Sequence, residues 1–167
     1  LHAIRTSSPN TVSPTIGRSA CCCGRPTWCT TSRTSPDGSI TSSALWRKEG
    51  EAGWQRIEGP DAVAGGSVVL GLAWTGEQFI AVGRVRSGRG VELARWRAAA
   101  WTSGDGLVWE AARVDLPSGT GSRLTAVSMG PGGVVAIGEI EAVGSVDGLV
   151  VWSVDGRQPW TRSRVAE

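Results

Sequence analysis

From about residue 41 onward the chain alternates short apolar runs with turns that contain glycine. None of the runs carries the three-and-four-spaced stripe of an amphipathic helix, and their lengths are those of strands. Between residues 63 and 116 they predict strands at about 67–75, 78–84, 95–102 and 107–114. Between 117 and 167 they predict strands at about 123–129, 133–139, 148–153 and 159–165. Residues 41–58 read as two more. Short strands joined in sequence by tight turns form antiparallel meanders. The expected class is all-β.

The runs also repeat. Trp46, Trp101 and Trp152 end the similar segments SSALW, RAAAW and GLVVW, and each is followed after a turn by a second Trp: Trp54, Trp109 and Trp160. Both members of the pair recur at spacings of 55 and then 51 residues. Residues 76–83 (GEQFIAVG) match residues 131–138 (PGGVVAIG) at an offset of 55. A period near 50 with four strands per unit is the mark of a repeat architecture in which each sheet must lean on its neighbours. Propeller blades have this form.

The turns between the paired tryptophans hold the sharpest local signal. One, WTSGDGLVW, contains Ser103, Asp105, Gly106 and Trp109; the other, WSVDGRQPW, contains Ser153, Asp155, Gly156 and Trp160. A short carboxylate at a turn accepts backbone N–H bonds, the adjacent glycine tolerates positive φ, and a closing indole buries apolar area. These turns resemble the Asp-box (BNR-like) repeat of sialidase-like β-propellers, Ser-x-Asp-x-Gly-x-Thr-Trp. They depart from it in that Gly106 and Gly156 directly follow the Asp, and the corresponding turn at 46–54 has no Asp. The resemblance implies a structural role for all eight turn residues, on the connection between third and fourth blade strands, away from the ligand face. It also implies an extracellular or cell-envelope setting.

The expectation is therefore an incomplete propeller of about two and a half four-stranded antiparallel blades. Residues 41–62 would be a half blade, and 63–116 and 117–167 full blades. An open strand edge near 41–47 would follow, with edge-mediated self-association as one outcome. Residues 1–40 are expected to be a disordered or non-native tail. The first 43 residues hold nine Ser, eight Thr and four Pro, with one acid and no hydrophobic alternation. That stretch contains no apolar core of the length a secretory signal needs. It does contain all four cysteines, as Cys21, Cys22, Cys23 and Cys29. Three in a row fit zinc-ligand spacing poorly, which leaves a bridge from Cys29 to one of the others, or free thiols.

Composition removes several functions. The 17 basic and 15 acidic residues nearly balance, so no global field favours nucleic acid, and no apolar run reaches the length of a membrane span. The single histidine, His2, excludes His-based triads and metal sites. A sialidase-type site would require, by resemblance, a Tyr nucleophile with a partner Glu, three carboxylate-binding arginines and an acid/base Asp, and the chain has no Tyr. No enzyme activity, cofactor or metal is expected. The reading is a non-catalytic scaffold that binds protein or glycan; the alternative is a remnant of a sialidase-like glycoside hydrolase whose catalytic blades lie outside this chain. By resemblance, ligands meet the loops joining strands two and three and the connections between blades. Arg84, Arg86 and Arg89 fall there and could grip a carboxylate or sulfate with guanidinium forks. Equally, they could pair with Glu139, Glu141 and Asp147 of the matching acidic loop. Trp96, flanked by Arg95 and Arg97, is the tryptophan that the repeat explains least, and a cation–π contact would account for it.

Overall fold

The computed structural model describes residues 16–22, 27–34, 40–48, 50–51, 53–57, 66–87, 95–117, 120–142 and 145–163. These residues form strands and turns, with no helix among them. The first sheet is a four-stranded antiparallel meander of β1 (Ile16–Cys22), β2 (Thr27–Thr34), β3 (Ile40–Lys48) and β4 (Gln55–Ile57). The second repeats the pattern with β5 (Ser67–Trp74), β6 (Phe79–Ser87), β7 (Arg95–Ser103) and β8 (Glu110–Ala112). A two-residue strand, β9 (Val114–Asp115), follows. The third sheet contains β10 (Ser122–Gly130), β11 (Gly133–Ala142), β12 (Ser145–Ser153) and β13 (Trp160–Arg162). β9 pairs in parallel with β13, so the chain leaving the second sheet is stitched to the outer edge of the third.

All eight strands expected between 67 and 165 are present, the fourth of each unit shorter than expected. The first sheet is a correction. The stretch expected to be a disordered tail supplies β1 and β2, and the expected half blade supplies only β3 and β4 of a four-stranded sheet. β3 pairs with β2 on one side and β4 on the other, so residues 41–47 present no open edge. The physical reason lies in Thr27, Thr30, Thr31 and Thr34. Their β-branched side chains favour strand geometry, although a hydrophobicity pattern counts them as polar. Cys29 on β2 is disulfide-bonded, and its neighbour in register on β1 is Cys21.

The sheets stack in chain order. Leu45 and Ile57 of the first pack with Val69, Leu72, Phe79, Ala81, Trp101 and Trp109 of the second. The opposite face of the second sheet, with Ile80, Val82, Ala98 and Ala100, packs on Leu124, Val134, Ala136, Leu149, Val151 and Trp160 of the third. A sheet covered on both faces loses the apolar–polar alternation of a half-exposed one, which is why residues 79–82 read as an unbroken apolar run. β5 and β10 carry the same bulge, 55 residues apart, between Val69 and Gly71 and between Leu124 and Ala126. Opposite each bulge stands a glycine, Gly83 or Gly138. A Cβ there would run into the carbonyl of Val68 or Arg123, so the matched glycines of the two repeats are required by close backbone approach.

Strand pairing also corrects the alignment of the tryptophans. Phe79 faces Ser103 across β6 and β7, and Val134 faces Ser153 across β11 and β12. Trp101 is then equivalent to Val151, and Trp152 to Thr102. The second turn is one residue longer, which restores Trp160 to the place of Trp109. As a result Trp101 and Trp160 are buried, whereas Trp152 is 42 % exposed on the face of the third sheet turned away from the second.

Candidate functional site

The meanders sort their loops to opposite ends of the stack. The turns β7–β8 and β12–β13 lie at one end; the last residues of β6 and β11 and the first residues of β7, β12 and β10 lie at the other. At the first end the two carboxylate turns close alike. Asp105 Oδ1 accepts from the N–H groups of Leu107 (2.7 Å) and Val108 (2.9 Å) and from the Ser103 hydroxyl (3.1 Å). Ser103 Oγ accepts from Gly106 N at 2.7 Å, and the Trp109 indole donates to the Gly106 carbonyl at 2.9 Å. In the other turn Asp155 Oδ1 accepts from Arg157 and Gln158, Ser153 Oγ accepts from Gly156 N, and the Trp160 indole donates to the Gly156 carbonyl. Gly106 and Gly156 have φ of 75° and 82°, where a side chain would be strained.

These bonds engage one oxygen of each carboxylate. The backbone N–H of Val108, then that of Leu107, holds the Asp105 carboxyl below its ordinary range. The second turn also joins two sheets, because the Gln78 side chain donates to the Asp155 carbonyl. In the turn at 46–54, which has no Asp, Trp54 is 47 % exposed against 3 % for its counterpart Trp109.

At the opposite end a cavity of about 370 Å³ opens between the second and third sheets. It is lined by Arg84 and Trp96 from one side and by Ser122, Arg123, Glu139, Glu141 and Val146 from the other. Arg84 lies on the face of β6 that carries Val82 toward the third sheet, and its guanidinium sits 4.2 Å from the centre of the Trp96 ring. Arg123, one residue into β10, donates from Nη2 to Glu139 Oε2 at 2.7 Å. Ser122 faces the interface, where its Oγ accepts from Ala98 N at 2.9 Å.

Two guanidiniums thus share the cavity with two carboxylates, of which Glu139 is paired directly to Arg123. Burial, and then the positive charge of Arg123, lowers the pKa of Arg84. Arg84 makes no ion pair among the described residues, and its Nε, like that of Arg123, is buried without a hydrogen-bond acceptor. The site therefore offers two guanidiniums, a hydroxyl and an aromatic wall beside the carboxylates of Glu139 and Glu141. An oxyanion matches that set, because planar forks bind carboxylate and sulfate oxygens through paired hydrogen bonds.

Of the arginines singled out from the sequence, Arg84 lines the cavity. Arg86 is exposed on the same strand and does not line it, and Arg89 lies outside the described residues. Glu139 and Glu141 join the lining, while Asp147 is exposed elsewhere on β12. Arg123 is the residue that sequence reading missed. Its signal was positional, since the connections between sheets belong to the same end as the Arg84 loop. Comparison with protein-family models, with curated proteins and with solved structures gave no match to this chain.

Proposed function

We propose that this protein is a non-catalytic binding scaffold, its three sheets successive blades of β-propeller type, with a ligand cavity between the second and third. The ligand presents an anionic oxygen group, the carboxylate or sulfate of a glycan or protein. The observation that carries this reading is the pair Arg84 and Arg123, whose Nε groups are both buried and unpartnered beside one ion-paired Glu139. The propeller reading draws support from the chain-ordered stacking of the sheets and the common bulge at an offset of 55. An oxidising, extracytoplasmic setting is part of the proposal, and the disulfide at Cys29 supports it.

The test is titration with sulfated and with carboxylated oligosaccharides, beside a neutral control. Binding is expected to one or both acidic classes, weakening as salt is raised. Arg84→Ala and Arg123→Ala should each reduce affinity about 10- to 100-fold, the loss that follows from removing a charge-assisted hydrogen bond. Arg84→Lys should recover only part of it, since the fork is gone. Affinity that is the same for neutral and acidic sugars, or unchanged in both alanine variants, sinks the proposal.

A further inference from the structure

The repeat separates what the fold needs around the cavity from what it does not. At an offset of 55 residues Gly66, Val68, Arg84 and Arg86 of the second sheet correspond to Gly121, Arg123, Glu139 and Glu141 of the third. The backbone does the same thing in both places: Arg86 N donates to the Gly66 carbonyl at 3.1 Å, and Glu141 N to the Gly121 carbonyl at 2.7 Å. The side chains differ in sign. Where the second sheet has a valine and two arginines, the third has an arginine and two glutamates. This backbone therefore accepts either charge, and folding does not demand the acids of the third sheet.

Arg84, Arg123, Glu139 and Glu141 are the charged side chains among the described residues lining the cavity. Arg123 and Glu139 hold one another at 2.7 Å. That leaves Arg84 on the wall of the second sheet and Glu141 on the wall of the third, neither with an ion pair among the described residues. The carboxylate of Glu141 lies against Gly121, where a Cβ would collide with it. The glycine thus makes room for a negative charge at the start of β10. A purely anionic ligand drawn to Arg84 would meet Glu141 as a like charge. A ligand with one anionic and one cationic group meets an opposite charge at each end.

Building on the anion site proposed above, we infer that the cavity takes a zwitterionic hexosamine unit. Its free, protonated amine meets Glu141, and a sulfate or carboxylate across the ring meets Arg84. The two unpaired charges come from opposite walls, so the groups they take stand on opposite sides of the ligand. An α-amino acid carries both groups on one carbon, whereas a hexosamine carries its amine at C2 and can carry an anionic group at C6, across the ring. At about 370 Å³ the cavity is near the small end of the range of about 300–1,000 Å³ for ligand sites, which suits one or two sugar rings.

Glucosamine 6-sulfate and N-acetylglucosamine 6-sulfate share the ring and the sulfate and differ at the amine. Titrated into the full chain at about pH 6, where carboxylates are ionised and amines protonated, the free amine should bind about 5-fold or more tightly than the N-acetyl sugar, as expected for one partly screened charge pair. Glu141→Gln keeps the shape of an exposed side chain and should bring the ratio to about one. Gly121→Ala, which displaces the same carboxylate, should lower the ratio too. Circular dichroism should be unchanged in both variants. Arg84→Ala should weaken both sugars alike. Glycine, a zwitterion with its charges on one carbon, should bind more weakly than glucosamine 6-sulfate; the reverse order overturns the assignment to a sugar. Equal binding of the two sugars by the wild type, or a preference that survives Glu141→Gln, overturns the inference. If both sugars then still depend on Arg84, the anion site stands without it. Binding of neither sugar also overturns the inference, and the oligosaccharide titration decides the anion site separately.

Discussion

Asp105 shows how one short side chain can organise a turn. Its single Oδ1 collects two backbone N–H groups and a hydroxyl, which orient the segment so that Trp109 can fold back over Gly106. Asp105→Ala is expected to cost about 1 kcal/mol, since the amides it releases are open to water; chemical denaturation measures this. The pH dependence has a definite sign. The folded carboxyl titrates below its ordinary 3.8, so its contribution is complete above that value and is lost as pH falls through the lowered one. Asp105→Asn should therefore flatten part of the acid limb of the stability curve while leaving the neutral region nearly parallel to wild type. At the cavity Arg84 illustrates the opposite situation, a charge held over an indole and making no ion pair among the described residues. Both residues were singled out from sequence, because turn chemistry and loop charge are local. Arg123 was not, because only stacking brings β10 against β6.

At the scale of the strand, register decides which face a side chain occupies. Trp152 and Trp160 are eight residues apart, yet one is 42 % exposed and the other fully buried. Trp160→Ala should cost about 3–5 kcal/mol, the usual cost of emptying a large core site. Trp152→Ala should cost under about 1 kcal/mol. Equal losses at the two sites, measured in urea, would mean that the strand alignment is wrong. The bulge glycines give a second check. Gly83→Ala and Gly138→Ala each push a methyl into a backbone carbonyl that cannot swing aside, and each should lower stability by about 1–3 kcal/mol or more. Strand existence was legible from 67 to 165 because apolar runs and turns announce it. β2 was not legible, since its four Thr carry strand propensity without hydrophobic contrast, and β1 (IGRSACC) shows no apolar–polar alternation.

In the whole molecule, three sheets of similar plan are held by two apolar interfaces and by the β9–β13 pairing that ties one sheet to the next. The first sheet has the thinnest described core, Leu45 and Ile57 against the second, and it carries the disulfide at Cys29. Reduction should therefore weaken this sheet first. We expect a loss of about 2 kcal/mol, in line with short disulfide loops, with hydrogen exchange rising in β1–β3 before β10–β12. Uniform exchange changes across all three sheets would show that the stack unfolds as one unit.

Chain order, strand alternation, turn chemistry and the period near 50 residues were present in the letters alone. They reflect interactions among residues close in sequence, and they were enough to define an all-β repeat protein. What only the tertiary structure decided is everything that depends on which strands lie opposite each other: the outward face of Trp152, the completion of the first sheet by β1 and β2, and the meeting of Arg84 with Arg123. Side chains alternate across a strand with a period of two, so a shift of one residue in pairing reverses every face at once. No local pattern can settle that choice. The packing of one sheet on the next does.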